Sequence, residues 1–177
     1  MYETNQEFRD LQQLIETSMK GAGEQMRAIF HPPSQTLSAR QVSKILKGIQ
    51  HIALATVTSK YEPRVAPVDT IFIHGKFYVS TDKSAFRARH LLKRPQVSVC
   101  YYKGDEVVII VHGKADLIEK THPDFEAINK VWVDHYGSGV LDWSEQGIYI
   151  RVNPEKMFTH ARDPKKFPVR PQKKKKI

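Results

Sequence analysis

Between residues 51 and 160 the hydrophobic pattern of this chain repeats every second residue, in short runs rich in β-branched and aromatic side chains and broken by tight turns. That reads as a succession of short strands over the larger part of the chain. The first run covers residues 51–58, and a Lys60-Tyr61-Glu62-Pro63 turn leads to a second over 64–73. His74-Gly75 is a two-residue hairpin signal, since such turns need positive φ and glycine accepts it, and a third strand over 76–81 follows directly. Val97, Val99 and Tyr101 alternate with Ser98, Cys100 and Tyr102 in a fourth strand. After a Lys103-Gly104-Asp105 turn the fifth strand, 106–119, opens with Val107-Val108-Ile109-Ile110-Val111, the pattern of a strand covered on both faces. Gly113 inside it predicts a bulge or sharp bend. Residues 147–152 read as a sixth strand and 157–160 as a short seventh. Antiparallel strands with brief helices between them predict a mainly β fold, a β-barrel with helices, rather than an alternating α/β sheet.

Helical periodicity appears in three segments. Over residues 6–30, Phe8, Leu11, Leu14, Ile15, Met19, Met26, Ile29 and Phe30 draw one apolar stripe, interrupted at Gly21-Ala22-Gly23 and ended by His31-Pro32-Pro33. A further helix starts at Ser38, where Gln41 completes a capping box and Val42, Ile45, Leu46 and Ile49 form the buried face. Thr121, with Asp124 three residues on, predicts a cap for a helix carrying Phe125, Ile128, Val131 and Trp132 and ending near Tyr136-Gly137. The organisation expected is a helical N-terminal extension over 1–37, one barrel domain over 38–160 and a basic, disordered tail over 161–177.

The formal charge of +9 sits mostly in that tail: without residues 163–177 the balance is +3. Lys173 to Lys176 and three prolines in a stretch with few apolar residues read as a solvated end, because such a composition does not repay the entropy of ordering. The body carries no recognised nucleic-acid motif, so nucleic acid is not an expected partner. Five consecutive aliphatic residues fall far short of the ~20 needed to span a bilayer as a helix. No basic stretch leads into an apolar one at the N-terminus. A single cysteine, Cys100, permits neither an intramolecular disulfide nor a cysteine-built zinc site. A cytoplasmic protein without a membrane role is expected.

The chemistry concentrates in Tyr78-Val79-Ser80-Thr81-Asp82-Lys83-Ser84-Ala85-Phe86-Arg87, which runs from a strand through a hydroxyl-rich turn into a helix expected to begin near Ser84. The first amides of a helix lack internal partners and its N-terminus carries partial positive charge, so an anion is favoured there. Ser80, Thr81 and Ser84 add hydroxyls, and Lys83 and Arg87 add full charges. Together they read as a phosphate cradle.

Leu54-Ala55-Thr56-Val57, Pro63-Arg64-Val65-Ala66-Pro67-Val68, the hydroxyl turn above and Arg87-Ala88-Arg89-His90-Leu91-Leu92-Lys93-Arg94-Pro95-Gln96-Val97-Ser98 follow one another in the order and spacing of a known family. Over about residues 38–160 the sequence resembles the pyridoxamine 5'-phosphate oxidase-like proteins, the flavin-binding split barrels. The resemblance implies a split β-barrel of the FMN-binding type, a homodimer with its cofactor at the subunit interface, and hydride transfer between FMN and a small organic substrate. It further implies that Ser80, Thr81, Lys83, Ser84 and Arg87 hold the flavin phosphate, and that the ring lies along Arg64, Val65, Ala66, Pro67 and Val68. A related branch binds a deazaflavin, coenzyme F420, and another binds haem, so a non-catalytic flavin- or haem-binding carrier or sensor is the alternative. The arginine-leucine-x-proline signature of the true oxidases is not found after Met157, which speaks against vitamin B6 chemistry. The resemblance assigns no catalytic residue, because the cofactor itself carries the hydride chemistry.

Of eight histidines none pairs at the close helical spacing of a metal site, and His135 and His160 are the first to test for haem. Cys100, among apolar neighbours on a strand, reads as a packed thiol. Trp132, Tyr136 and Trp143 read as core aromatics, with a cavity-lining role as the alternative.

Overall fold

Period-two patterning decides which face of a strand turns inward, and six strands use it to enclose a barrel. They are β1 (Gln50–Val57), β2 (Pro63–Ile73), β3 (Lys76–Asp82), β4 (Gln96–Lys103), β5 (Val107–Ile118) and β6 (Gly147–Ala161). Their spatial order is β1-β2-β3-β6-β5-β4, every neighbouring pair is antiparallel, and β4 pairs with β1 to close the ring. This is a computed structural model, and it describes residues 2–169. Ile52 and Leu54 of β1, Val97 and Val99 of β4, and Val107, Ile109 and Val111 of β5 are buried in the central core. The continuous run of β5 is not covered on both faces as its composition suggests: Val108 and Ile110, which alternate with those three, are only half-buried.

One long strand replaces the sixth and seventh expected from the sequence. Pro154 lacks an amide and would interrupt a regular ladder, but it lies opposite Gly113, where the register of β5 against β6 shifts by a bulge. The bulge absorbs the proline and β6 continues for 15 residues. Glycine is required on the opposing strand, since a Cβ at 113 would stand 2.0 Å from the Asn153 carbonyl oxygen. At the β2–β3 turn His74 and Gly75 both take positive φ, 52° and 72°, the hairpin conformation their sequence suggests.

The helical stripe of residues 6–30 divides at Gly21 into α1 (Asn5–Lys20) and α2 (Glu24–Phe30), followed by α3 (Ala39–Ile45), which carries the Ser38–Gln41 capping box. The extension is not an appendage with a core of its own. Phe8, Leu11, Ile15 and Met19 of α1 and Phe30 of α2 join the barrel core, and α1 lies along β6. Ser18 Oγ accepts from the Met157 amide at 2.9 Å, and Thr159 Oγ1 accepts from the Leu37 amide at 3.0 Å.

Next in the chain come α4 (Phe86–Lys93), α5 (Phe125–Tyr136) and α6 (Val140–Trp143). A second core forms where Phe125, Ile128, Val131 and Trp132 of α5 cover Ile71, Ile73, Tyr78, Ile118 and Tyr149 on the outside of the barrel. Trp132 is stacked between Tyr136, 5.3 Å away, and Tyr149, 5.9 Å away. Thr121 does not cap α5. The N-cap is Asp124, and it makes no capping bond because its carboxylate accepts from Arg151 at 2.6 Å instead.

The chain beyond the barrel also departs from expectation, because part of the segment assigned to a loose tail is held. The Gln41 side chain donates to the Pro164 carbonyl at 2.8 Å, Lys44 donates to the Pro168 carbonyl at 2.7 Å, and Phe167 packs against the central core. The run Lys173 to Lys176 lies outside the described residues. Among the described residues no helix is long and apolar enough to cross a membrane.

Candidate functional site

Across the β1–β2 ladder Leu54 faces Ala66 and Thr56 faces Arg64. Opposed residues of an antiparallel pair share a face, so all four side chains converge at one end of the barrel. α4 crosses that end, and a cleft of about 560 Å³ lies between them, within the range of small-molecule sites. Leu54, Thr56 and Thr58 form one wall, Arg64, Val65 and Ala66 the second, and Ala85, Phe86, Arg87 and His90 the third.

Among the described residues no carboxylate lines the cleft. Arg64 is paired with Glu62 at 2.7 Å, both side chains being about half exposed, a surface contact worth little in itself. Arg87 has no ion-pair partner among the described residues, and its Nη1 reaches the hydroxyl of the buried Thr81 at 3.5 Å. On the floor the Thr56 hydroxyl and His90 Nδ1 are 3.0 Å apart. Phe86 stands 74% exposed at the rim with the Arg89 guanidinium 4.6 Å above its ring. Clefts of about 550 and 500 Å³ flank the β2–β3 hairpin, but Glu7 and Asp10 line the first and Glu7, Asp124 and Asp134 the second. Of these three clefts, the one beneath α4 offers an anion a guanidinium, Arg87, that no carboxylate among the described residues opposes.

The residues singled out in the sequence separate into groups. Arg64, Val65, Ala66 and Arg87 line the cleft, and Thr81 adjoins it through Arg87. Pro67 is exposed on the outside of β2, and Val68 is buried in the central core. Ser80 alternates with Thr81 on β3 and therefore turns to the opposite face. Lys83 is drawn away to Glu119, 2.8 Å from its Nζ. The Ser84 amide donates to the Asp82 carboxylate at 2.6 Å, and Ser144 donates its hydroxyl to the other carboxylate oxygen. These bonds, Ser144's first, hold Asp82 below the usual carboxylate range. An acid thus occupies the part of the turn that the sequence suggests for a phosphate. The helix starts two residues later than expected, at Phe86, with Ala85 as N-cap and no side-chain cap, so the α4 end that meets the cleft still has open amides.

Sequence reasoning missed Leu54, Thr56, Thr58, Ala85, Phe86 and His90 as lining residues. A signal existed for two of them: Thr56 shares the inward parity of Leu54, and His90 follows Arg87 by three residues on one helix face. Other candidates lie outside the cleft. His135 donates from Nδ1 to the Val131 carbonyl at 2.9 Å, and the His160 ring packs 5.4 Å from Phe30. Tyr136 donates to Asp69, and burial together with that carboxylate pushes its phenol up to about 12. Burial likewise pushes the Cys100 thiol up, away from the thiolate form.

The family profile described as pyridoxamine 5'-phosphate oxidase matches residues 38–161, from α3 to the end of β6. The chain belongs to the pyridoxamine 5'-phosphate oxidase family. Every residue lining the cleft falls within the family match, while α1 and α2 lie outside it. Solved structures share the fold at low identity. A conserved hypothetical protein from Mycobacterium tuberculosis aligns at TM-score 0.64 and 16% identity, over 81% of this chain and 96% of that one. The haem-storage protein HutZ of Vibrio cholerae aligns at 0.56 and 18% identity, over 68% and 91%. A structure named F420 reductase aligns at 0.52 and 18% identity, over 65% and 94%. No curated protein matches the chain.

Proposed function

We propose that this member of the family is a flavin-dependent oxidoreductase that seats FMN in the cleft beneath α4 and exchanges a hydride between it and a small organic substrate. The observation that carries the reading is a cleft of about 560 Å³ in which, among the described residues, no carboxylate lines the wall and a guanidinium, Arg87, has no ion-pair partner. Such a site accepts a ligand with one anionic end and a flat, largely apolar body. Arg87, oriented by the Thr81 hydroxyl and assisted by the open amides of α4, would hold the phosphate. Arg64 to Ala66 would border the ring, while Ser80, Lys83 and Ser84 serve the surrounding structure. When bound, the flavin supplies the hydride chemistry, and the chain binds it, orients it and excludes water.

Coenzyme F420 is the second cofactor the cleft suits, since a deazaflavin with an acidic tail meets the same cations; the structure named F420 reductase shares the fold. The likeness to HutZ favours a non-catalytic haem or flavin carrier as the other reading. Cofactor assembly at the interface of two copies is part of the proposal. The outward rows of the sheet, Val65–Ala55–Ser98–His112 and Pro67–Ala53–Cys100–Ile110, form a face of mostly small or apolar residues with Val65 67% exposed. A second copy would cover that face.

Absorbance and fluorescence titrations of the purified protein with FMN, F420 and haemin test the reading. Saturable binding of a flavin or deazaflavin, followed by turnover with a reductant and an acceptor panel, is expected. Binding of haemin alone would replace the flavin reading, and a bound flavin without turnover would leave a carrier.

A further inference from the structure

We propose that His90 is a cofactor-contact residue, presenting its Nε2 as a hydrogen-bond donor to the ring system of a flavin in the cleft, one helical turn from the phosphate contact at Arg87. The inference rests on the flavin reading and goes beyond it by naming the atom of this chain that meets the ring.

The argument begins with Thr56. Its side chain is buried, 3% exposed, and its hydroxyl has one hydrogen-bond partner among the described residues, His90 Nδ1 at 3.0 Å. With no carbonyl bonded to it among the described residues, the Thr56 hydroxyl is assigned as the donor to Nδ1, an assignment that puts the ring hydrogen on Nε2. Nε2 is hydrogen-bonded to no protein group among the described residues, and it is not among their buried polar atoms without partners. His90 lines the cleft, so a ligand seated there is the partner within reach of that N–H.

Position assigns that N–H to the ring rather than to the phosphate. Residues three apart on a helix are surface neighbours, so His90 stands one turn along α4 from Arg87. Thr56, to which it is fixed, is the register partner of Arg64 on β2, the strand expected along the flavin ring. A hydrogen bond that served only to tie α4 to β1 would use Nδ1 and need nothing of Nε2.

The probes are FMN and riboflavin, which share the ring and differ in the phosphate, titrated by flavin fluorescence into wild type and variants. His90→Ala should weaken both ligands by the same factor, about five- to tenfold, the range for one neutral hydrogen bond. His90→Gln, whose amide nitrogen reaches the place of Nε2, should recover most of the loss, whereas His90→Asn, which reaches only the Nδ1 side, should not. Arg87→Ala should weaken FMN and spare riboflavin. Circular dichroism melts establish that each variant is folded.

Unchanged affinity in His90→Ala, or recovery by Asn rather than Gln, would reduce His90 to a helix tie and overturn the inference with the flavin reading intact. A loss confined to FMN would move the contact to the phosphate and overturn it too. If wild type binds neither flavin, the flavin reading fails and this inference falls with it.

Discussion

Two basic side chains four residues apart have opposite fates. Lys83 and Arg87 are equivalent in composition, but Lys83 is spent on Glu119 while Arg87 faces the cleft with only a hydroxyl beside it. Replacing Arg87 by Ala should weaken FMN binding by about 1.5–3 kcal/mol, the range for a hydrogen bond to a charged group. Lys83→Ala should change it by less than twofold, because the exposed pair with Glu119 lies apart from the cleft; isothermal titration of both variants checks the contrast. Asp116 shows what a second kind of local environment does. Burial pushes its carboxyl up, but hydrogen bonds from Arg151 and Asn153 outweigh this and hold it below the ordinary range. A depressed carboxyl contributes stability that is present above its unfolded pKa, about 4, and lost as pH falls through the lower folded value. The melting temperature of wild type should therefore drop on acidification below about pH 4, and Asp116→Asn should start lower at neutral pH and drop less across the same window.

At the scale of elements, the question is whether α1 is an addition to the barrel or part of it. Its stripe at Phe8, Leu11, Ile15 and Met19 follows the helical period, and all four are buried in the central core. Ile15 is fully enclosed, at 0% exposure. Truncating such a side chain costs roughly 2–5 kcal/mol. Ile15→Ala should lower the midpoint of a single cooperative unfolding transition seen equally by far-ultraviolet circular dichroism and by the fluorescence of Trp132 and Trp143. Two separated transitions would mean that α1 unfolds on its own. The same scale explains β6, where a proline that would divide a regular strand is accommodated by the bulge at Gly113. The sequence shows both the proline and the glycine, yet only the pairing of β5 with β6 puts them opposite each other.

For the whole molecule, the outer face of β1, β2, β4 and β5 bears on assembly. Val65 and Tyr102 stand 67% and 66% exposed on it, and its central row is Pro67, Ala53, Cys100 and Ile110. Light scattering on a sizing column should give twice the chain mass of 20.4 kDa, and Ile110→Lys should shift the protein toward the monomer. A monomer at all concentrations would remove the second copy from the proposed site. Strand content, most turns, the two-helix N-terminal stripe and the family are legible in local patterns, because period, glycine position and motif order are properties of neighbouring residues. The barrel's closure, the shared core of α1, the anchoring of Phe167 and the composition of the cleft are not, because each depends on residues far apart in the chain. Within the site, the sequence determined that a basic, hydroxyl-rich segment follows β3. Tertiary structure alone decided that Asp82 and Glu119 occupy Ser84 and Lys83, that Arg87 has no ion-pair partner among the described residues, and that Thr56 meets His90 beside the cleft. Hydrogen bonds and ion pairs are won by whichever partner the fold brings within about 3 Å, and chain order does not state that distance.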